Sequence, residues 1–538
     1  MKSRLAWLAS YLPPVLWAAA AAALGLLLWS APKIPLPWFD ETLMVSTALS
    51  VARGGSATPS VLDAFPHVAR FDLLYGPVVF VLGSLAVKFF GVSIIAWRSL
   101  GWLGGVALTL GAGWVTFALV RSQTAAAASA ALVAWSQGMG ARATCGRLDT
   151  VTVAFELLCL GFSIKASDLP ADDKRAYAYA CVSGLFCGLA LASTPRSFPF
   201  VAGLGFALVV ELLLAKSERG WQAMQMCLIG LLAAVPVFLW TFSEKSNPVA
   251  WLRFIAHASQ GDKINVSPLF GGSWHLTDGP MIPRVAGFCA LLVMLGVLTC
   301  AFLASRTAAA DGSATFSWKR WRLPLIVTIS NYVLTFLVIA RFWDYEIFFI
   351  PLLLPVFVAL TAQLLQSFVR RPLRWAILGV WLPLTVVLVG TRVGKTLNWV
   401  SCYRACDPAP LARFIADHVP KQAKVFGPRD LYFYAVEGVG ADYLYVHPWV
   451  APGMLNGRSQ QGPDWQELLS TDGEIFFIWP ASDDLPEEVA GTNLQLVAHF
   501  EPVKEKNFWF SPELGRSEGY PPSNLYRMER AARRDRRK

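Results

Sequence analysis

The chain has 538 residues, of which 55% are hydrophobic and only 15% are charged, and its mean hydropathy is +0.47. Soluble globular proteins carry about 25% charged residues, and one water-soluble core would divide into domains well before this length. Nine cysteines are too few for a disulfide scaffold and the apolar content excludes a disordered chain, so the sequence predicts a polytopic membrane protein.

Apolar stretches long enough to form membrane helices recur along the first 400 residues. A helix of about 20 apolar residues crosses a bilayer because lipid offers no partner to unsatisfied backbone groups. The first stretch follows Met-Lys-Ser-Arg and has no clear cleavage site after it, so we predict an anchor rather than a signal peptide. The candidates are 12–30, 74–90, 98–120, 124–140, 148–165, 176–193, 198–215, 221–242, 284–305, 323–340, 345–367 and 375–394.

Basic residues in short loops predict the orientation, since they stay in the cytoplasm. The N-terminus and all of the basic loops lie on the cytoplasmic side only if one of the early apolar stretches does not cross the membrane. The stretch 74–90 is the best candidate, because it is short, opens with Gly76-Pro77 and carries Lys88 near its end. We therefore predict a juxtamembrane or re-entrant helix there and eleven crossings. The basic loops contain Lys165, Lys174, Arg175, Lys216, Arg219, Arg306, Lys319, Arg320, Arg322, Arg370, Arg371 and Arg374.

This orientation predicts that function lies on the non-cytoplasmic face. The two long loops, 31–97 and 243–283, face outward, and the cytoplasmic loops are all short. Short outward turns are expected at 141–148, 194–197 and 341–345, and everything after about 396 is outside.

The composition changes from about Asn398, where short β-prone runs alternate with turn residues behind a helical pattern at 408–419. This pattern indicates a small extracytoplasmic α/β domain over residues 398–526, following a membrane domain at 1–397. The tail 527–538, with seven basic and two acidic side chains, supplies half of the net charge of +10. The remaining charge is typical of a membrane protein with basic loops, so we expect no nucleic acid partner. The β-prone runs are 424–426, 431–436, 442–446, 474–479, 494–500 and 507–510.

Two cysteines, Cys402 and Cys406, lie on the predicted outer face, where oxidation is permitted. They could form a disulfide across a short turn. No histidines stand near them at zinc-site spacing, so the pair does not indicate a metal.

The clearest chemical signal is Asp40-Glu41, directly after the first crossing. Two adjacent carboxylates at a membrane surface are costly unless they face water or a ligand, and they suit a general base, with or without a bound cation. The alternative is a helix N-cap, which Asp followed by Glu also favours.

A second acidic signal, Asp149 in Gly146-Arg147-Leu148-Asp149, lies at the outward mouth of the fourth crossing. Alone, it too could be an N-cap; with Asp40, it would place two carboxylates in one cavity. Four arginines also lie at outward helix ends: Arg142, Arg147, Arg196 and Arg341. Cations around carboxylates at the lipid boundary suit a substrate that carries a phosphate, although such arginines can simply reach lipid headgroups.

These motifs resemble a family. Asp40-Glu41, a loop helix ending Arg53-Gly54-Gly55, and the later Tyr75-Gly76-Pro77 and Arg98-Ser99-Leu100 are similar to glycosyltransferases of the GT-C fold. The nearer resemblance is to the branch of protein O-mannosyltransferases and lipid A aminoarabinose transferases. Arg147–Asp149 resembles the second acidic site of that branch, and the stretch 341–355 its arginine/tyrosine–proline helix.

The resemblance, which covers about residues 10–400, implies transfer of a sugar from a polyprenyl-phosphate carrier on the outer face, with inversion at the anomeric carbon. It implies that Asp40 is the base, with Glu41 beside it, and that Asp149 orients substrate or shares a cation. Arg341 and Tyr345 would meet the carrier phosphate. The family's basic residue before the loop's second helix is missing, and Arg70 is the nearest substitute.

The sequence thus predicts a GT-C type, polytopic α-helical membrane protein of about eleven crossings with a small C-terminal α/β domain. The expected location is a cell inner membrane, with the site on the periplasmic or extracellular face. Expected partners are a polyprenyl-phosphate-linked sugar donor, membrane lipids, and a glycan, glycolipid or protein acceptor; a divalent cation is an open possibility. The rival hypotheses are a transporter or flippase for a lipid-linked sugar, which Glu156 and Glu211 within spans would support, and a non-catalytic scaffold.

Overall fold

The structure is a computed structural model. It describes the chain apart from residues 1, 35–36, 38, 56–75, 147, 171–172, 216–217, 237–280, 311–317, 339–345, 368–370, 428–430, 446–473, 486–488, 490–491, 503–519 and 529–538.

Before residue 402 the described chain consists of helices joined by short turns and contains no strand, and each predicted apolar stretch overlaps a helix. The stretch 124–140 is divided into two helices at Trp135, where the Ser136 side chain caps the second by accepting a hydrogen bond from the Met139 NH. The helices are α1 (Lys2–Ser30), α2 (Phe39–Ala52), α3 (Pro77–Phe90), α4 (Ile94–Val120), α5 (Gln123–Ala134), α6 (Gln137–Ala143), α7 (Asp149–Asp168), α8 (Lys174–Ser193), α9 (Phe198–Ala215), α10 (Glu218–Leu232), α11 (Met281–Ala310), α12 (Trp318–Val338), α13 (Ile350–Ser367) and α14 (Arg371–Ser401), with a 3₁₀ turn at Pro195–Ser197 before α9.

Six helices of the described chain are long and apolar enough to cross a membrane, and five shorter apolar helices accompany them. Large apolar side chains on the outer faces are exposed, such as Phe206 (58%), Leu213 (67%) and Leu382 (64%), which suits contact with lipid rather than water. The predicted polytopic helical class is confirmed. The six long helices lie within Ser10–Ser30, Ile94–Val120, Asp149–Asp168, Lys174–Ser193, Val285–Ser305 and Arg374–Ser401.

Contacts between helix ends define two ends of the bundle. At one, the upper end, the Gly76 NH donates to the Ser193 carbonyl, and the Trp97 indole donates to the Gly146 carbonyl at 2.9 Å. At the other, the lower end, Arg320 lies 3.4 Å from Asp168. Arg322 pairs with Glu211 at the lower end as well. The acidic motifs and the basic loops thus lie at opposite ends, as the sequence predicts.

Helix α3 starts and ends at the upper end. Its start is tied to the end of α8 through Gly76, and Gly83 lies so close to the Trp97 ring of α4 that a Cβ there would come within 2.5 Å of it. Fourteen residues of helix extend only about 21 Å, and α4 begins four residues later at the same end. This agrees with the predicted juxtamembrane helix that does not cross.

The C-terminal domain is a five-stranded mixed sheet with two described helices. The strand order is β2-β1-β3-β5-β4, in which β1 pairs parallel with β2 and β3, and β5 pairs antiparallel with β3 and β4. Its elements are α15 (Ala409–His418), β1 (Lys424–Gly427), α16 (Tyr432–Val439), β2 (Asp442–Tyr445), β3 (Ile475–Pro480), β4 (Leu494–Phe500) and β5 (Ser523–Met528).

Three details of the C-terminal region differ from the sequence prediction. The predicted strand 431–436 is the helix α16, because the parallel strands β1 and β2 need a crossover that a hairpin cannot provide. Strand β5 was not predicted; it reaches Met528, two residues past the expected boundary, while α14 continues to Ser401 rather than 397. The predicted strand at 507–510 lies outside the described residues.

The domain docks on the upper end through one continuous apolar cluster. Leu43 of α2, Phe80 of α3, Trp97 of α4 and Leu148 before α7 are buried in the same cluster as the sheet and α16. A second cluster fills the helix bundle itself. The domain therefore packs directly over the segments that carry the acidic motifs.

Candidate active site

Helix α2 begins at Phe39, so the backbone of Asp40 lies in its first turn; the Asp40 side chain is outside the described residues. The next residue, Glu41, is fully buried and paired with Arg98 near the start of α4. Arg98 donates through Nε to Glu41 Oε1 at 2.7 Å and through Nη2 to Oε2 at 2.8 Å. Its Nη1 donates to the Ala31 carbonyl at 2.8 Å. Glu41 thus fixes the start of α2 to α4 and to the end of α1.

Asp149 is the first residue of α7 and is fully buried. The N-cap position belongs to Leu148, so the capping alternative for Asp149 does not apply. Leu148 has φ +54°, and a bulky residue in this left-handed region costs about 1–2 kcal/mol. Strain of this kind is concentrated at functional sites, where surrounding contacts enforce it. Close by, Thr150 Oγ1 donates a hydrogen bond to the Gly101 carbonyl at 2.8 Å, which ties the start of α7 to α4.

The structure brings the two acidic motifs together. Gly146 has φ +64°, and a Cβ at this position would lie 2.5 Å from Glu41 Oε1 and 2.5 Å from the Trp97 indole nitrogen. Only glycine therefore fits between the Glu41–Arg98 pair and the turn that leads to Asp149. The turn before Asp149 thus lies against Glu41, and the meeting of the Asp40 and Asp149 carboxylates in one cavity stays a prediction.

A group of cations lies beside Asp149. Arg142 of α6 places its Nε 3.8 Å from Asp149 Oδ2. Arg392 of α14 packs against Gly140, and Glu346 packs against Gly138. Lys395 of α14 interacts electrostatically with Glu346, Arg392 and Arg142. We call Arg142, Asp149, Glu346, Arg392 and Lys395 the charged cluster.

The charged cluster and the Glu41–Arg98 pair both lie beside the turn between α6 and α7, because Gly146 in this turn lies against Glu41 and Arg142 just before it lies 3.8 Å from Asp149. Cys145, in the turn between α6 and α7, interacts electrostatically both with Arg98 and with Lys395. Arg392 and Lys395 were not among the predicted site residues. The signal was nevertheless present, because two charges three residues apart in an otherwise apolar membrane helix face one side and mark a functional site.

Helix α16 of the C-terminal domain reaches the same place. Tyr434 interacts electrostatically with Arg98, and its hydroxyl shares a hydrogen bond with the Tyr520 hydroxyl. Burial raises the pKa of Tyr432, although the nearby Arg53 at the end of α2 acts in the opposite direction. The C-terminal domain therefore lies over α2 and its buried ion pair.

The remaining predicted residues stand as follows. Arg196 is half-buried in the 3₁₀ turn at the upper end, which packs against α7 and α8. Cys402 and Cys406 are buried thiols not joined to each other; the Cys406 NH donates to the Cys402 carbonyl at 3.1 Å in a helical turn. Arg70, Arg147, Arg341 and Tyr345 lie outside the described residues. Among the residues that are described, no group of three His, Cys, Asp or Glu could hold a metal.

A cavity of about 1070 Å³ lies at the lower end, between α7, α8, α9, α11 and α12. Its walls are mostly apolar, and the Glu211 carboxylate on its wall is already bound by Arg322. It lies at the opposite end from the acidic motifs and so is not the site described above.

Fold and site together define a polytopic membrane protein that gathers carboxylates and cations at one end of its helix bundle, beneath a small α/β domain. No family model and no curated protein matches the chain. Among solved structures, it is similar to ArnT from Cupriavidus metallidurans bound to undecaprenyl phosphate, with 15% identity, a TM-score of 0.45, and 95% of this chain and 97% of that chain covered. It is also similar to the archaeal oligosaccharyltransferase AglB from Archaeoglobus fulgidus in complex with an inhibitory peptide and a dolichol-phosphate. There the identity is 15% and the TM-score 0.45, with 88% and 70% covered.

Proposed function

We propose that the chain is a GT-C type glycosyltransferase that moves a sugar from a polyprenyl-phosphate carrier to an acceptor hydroxyl. The observation that carries the proposal is the meeting of two acidic motifs, separated by more than 100 residues, at the outer ends of membrane helices. Gly146, three residues before Asp149, lies against Glu41, the neighbour of Asp40. A scaffold protein would have no use for this arrangement or for the strained Leu148.

In the proposed reaction the acceptor oxygen bonds to the anomeric carbon as the bond from that carbon to the phosphate oxygen breaks. Asp40 takes the proton of the acceptor hydroxyl, and the electron pair of the broken bond leaves with the lipid phosphate. Because attack and departure occur on opposite faces, the anomeric carbon is inverted. A phosphate is already a good leaving group, so a base on one side and positive charge on the other are the main requirements.

The other residues take supporting roles in this proposal. Glu41, held by both oxygens on Arg98, positions the first turn of α2 rather than reacting itself. Asp149 orients the substrate, or shares a divalent cation with Asp40 if one binds. Arg70, Arg147, Arg196, Arg341 and Tyr345 remain predicted contacts of the carrier phosphate.

Arg320 and Arg322 at the lower end support an extracytoplasmic position for the upper end, because basic loops stay in the cytoplasm. The acceptor would then be a surface glycan, a glycolipid such as a lipopolysaccharide core, or a secreted protein, and an inner bacterial membrane would house the enzyme. The C-terminal domain lies over the site and is well placed to contact the acceptor.

The test is mass spectrometry of lipid-linked sugars and surface glycans from cells carrying wild type, Asp40→Asn or a deletion. If Asp40 is the base, Asp40→Asn at normal protein level lacks one sugar on a glycan, accumulates the lipid-phosphate donor and loses about 10²–10⁴-fold in transfer rate. The missing sugar identifies the substrate. An unchanged glycan in Asp40→Asn together with an altered glycan in the deletion would remove Asp40 from the chemistry.

A second candidate, a transporter of lipid-linked sugar, is favoured by Glu156. This side chain is buried in the middle of α7, and neither carboxylate oxygen has a hydrogen-bond partner among the described residues. Charged or protonatable groups inside the membrane often mark a translocation path. Glu156→Gln separates the two functions, since it should abolish transport but leave sugar transfer by the purified protein unchanged.

A further inference from the structure

The side chain of Arg392 is buried without a counterpart. It is 1% exposed, and neither Nη1 nor Nη2 has a hydrogen-bond acceptor in the described part of the chain. A guanidinium group has five N–H donors and stays charged in proteins. Such a group is rarely left buried with its donors unused, so the environment of Arg392 indicates a missing anion.

The surroundings hold Arg392 in place without neutralising it. The guanidinium lies 4.7 Å from the centre of the Trp399 ring, a cation–π contact that supports a charge but accepts no hydrogen bond. On another side, Gly140 leaves room for it, because a Cβ there would lie 2.0 Å from Nη1. The side chain is therefore fixed by shape and by an aromatic face, with its donors left for a ligand.

The charge balance of the charged cluster points the same way. It contains three cations, Arg142, Arg392 and Lys395, but only two carboxylates, Asp149 and Glu346. Asp149 already lies 3.8 Å from Arg142, and Lys395 interacts with Glu346. Cations thus outnumber carboxylates by one among these five groups, and Arg392 is the cation whose terminal nitrogens have no acceptor in the described part of the chain.

We propose that Arg392, supported by Lys395, binds the phosphate of the lipid-linked substrate; this inference rests on the proposed function. A planar guanidinium can bind two phosphate oxygens side by side, and a nearby ammonium adds a compact second charge. On the same helix, Leu382, Val386 and Val393 are exposed apolar side chains that suit contact with lipid.

The test uses the full chain, purified and reconstituted in phosphatidylcholine nanodiscs, with binding followed by calorimetry. The probes are a short-chain polyprenyl phosphate, the matching polyprenol, inorganic phosphate and dioleoyl phosphatidic acid. Arg392→Gln should weaken polyprenyl phosphate binding by about tenfold or more, whereas polyprenol binding stays as in wild type. Arg392→Lys keeps the charge but loses the planar guanidinium, so its affinity for polyprenyl phosphate should lie between those of wild type and Arg392→Gln. Arg374→Gln, an exposed arginine at the lower end of the same helix, is the matched control and should bind like wild type.

Binding within twofold of wild type in both Arg392 variants would overturn the inference. The inference would also fail if Arg392→Gln weakened binding of phosphatidic acid as much as that of polyprenyl phosphate, because the site would then bind membrane headgroups. It would fail too if the variant weakened binding of inorganic phosphate alone, because the site would then be a general anion site. If Arg392→Gln does not fold, Arg392→Lys carries the comparison.

Asp40→Asn separates the inference from the function that it rests on, because this variant should bind polyprenyl phosphate but not transfer sugar. If Asp40→Asn loses transfer and Arg392→Gln keeps binding, the phosphate site is refuted and the function stands. If Asp40→Asn transfers normally while Arg392→Gln loses binding, the anion site stands and the proposed function fails.

Discussion

Two arginines are buried to the same depth at the upper end of the bundle, but their surroundings differ. Arg98 is 0% exposed, with its guanidinium bound by both Glu41 oxygens and by the Ala31 carbonyl. Arg392 is 1% exposed, with an aromatic ring and a glycine beside it but no acceptor for its terminal nitrogens among the described residues. Both charges are equally costly to bury, so the difference separates a structural arginine from one that needs a ligand.

The contrast suggests a division of labour within one site. The Glu41–Arg98 pair joins α1, α2 and α4 and so fixes where Asp40 stands. Arg392 is held by the Trp399 ring and by the space at Gly140, neither of which carries a charge. Stability should therefore depend on the first region, and ligand binding on the second.

The largest expected effect is that of Arg98→Met, which leaves the Glu41 carboxylate buried and unpaired. Breaking a buried pair by removing one partner lowers the free energy of unfolding by about 3–5 kcal/mol. Denaturant unfolding of the protein in detergent measures it. The double variant Glu41→Leu/Arg98→Met should recover much of the loss, and Arg392→Met should show no loss. Equal losses in Arg98→Met and Arg392→Met would erase the contrast between the two arginines.

Gly140→Ala should come next, because its Cβ would occupy the position of the Arg392 guanidinium. Alanine in place of glycine normally stabilises a helix by about 0.5–1 kcal/mol, but overpacking here should reverse the sign and cost about 1–3 kcal/mol. Gly390→Ala on α14, with nothing within 4 Å of its Cβ, is the control and should show the normal gain. Thermal unfolding of both variants decides, and stabilisation by Gly140→Ala would mean that Arg392 is not held in this pocket.

Tyr434→Phe should have a smaller effect, since it removes the hydrogen bond to Tyr520 that holds α16 above Arg98. One buried hydrogen bond contributes about 0.5–1.5 kcal/mol. Tyr520→Phe should lower the free energy of unfolding by a similar amount, and the double variant by little more than either single variant. Denaturant unfolding of the three variants measures these losses. Strictly additive losses would show that the two hydroxyls do not act as a pair.

The smallest expected effect is at His499, an exposed side chain of the C-terminal domain. Hydrogen bonds to Asn524 and Glu501 raise the pKa of His499, because each ring nitrogen faces an acceptor and only the protonated ring can donate to both. A raised folded-state pKa adds stability that is complete below the ordinary histidine value and is lost as pH rises through the folded value. The melting temperature should thus fall slightly between about pH 6 and pH 8 in wild type. His499→Gln should remove that part of the slope, and an identical slope in the variant would exclude this histidine.

Much of the helical framework could be predicted from the sequence, since an apolar stretch of membrane length has few alternatives in lipid. Charge in the loops also required one early stretch not to cross, and the short length of 74–90, its Gly76-Pro77 and Lys88 selected α3. The helix α16 did not, because Leu-Tyr-Phe-Tyr-Ala-Val is composed of residues that favour strands. Only the parallel pairing of β1 with β2 requires a helix there. Strand β5 was hidden for a similar reason, as it is recognised by its partners β3 and β4 rather than by its own pattern.

The candidate site divides in the same way. Asp40, Glu41 and Asp149 could be found because carboxylates next to apolar stretches are conspicuous. Their separate roles could not, since Glu41 is distinguished from Asp40 by a partner 57 residues away. Arg392 and Lys395 lie more than 240 residues from Asp149, and only the packing of α14 against α6 brings them to it.

The sequence by itself determined that this protein is a bundle of membrane helices with its charges sorted to opposite ends and a small α/β domain behind it. Hydrophobicity and charge act locally along the chain, so that lipid and water select the helices and their orientation without long-range information. The tertiary structure decided which buried charges are satisfied and which are not. That depends on the geometry between distant helices: Glu41 meets Arg98 across α2 and α4, while α14 places Arg392 where only a ring and a glycine face it.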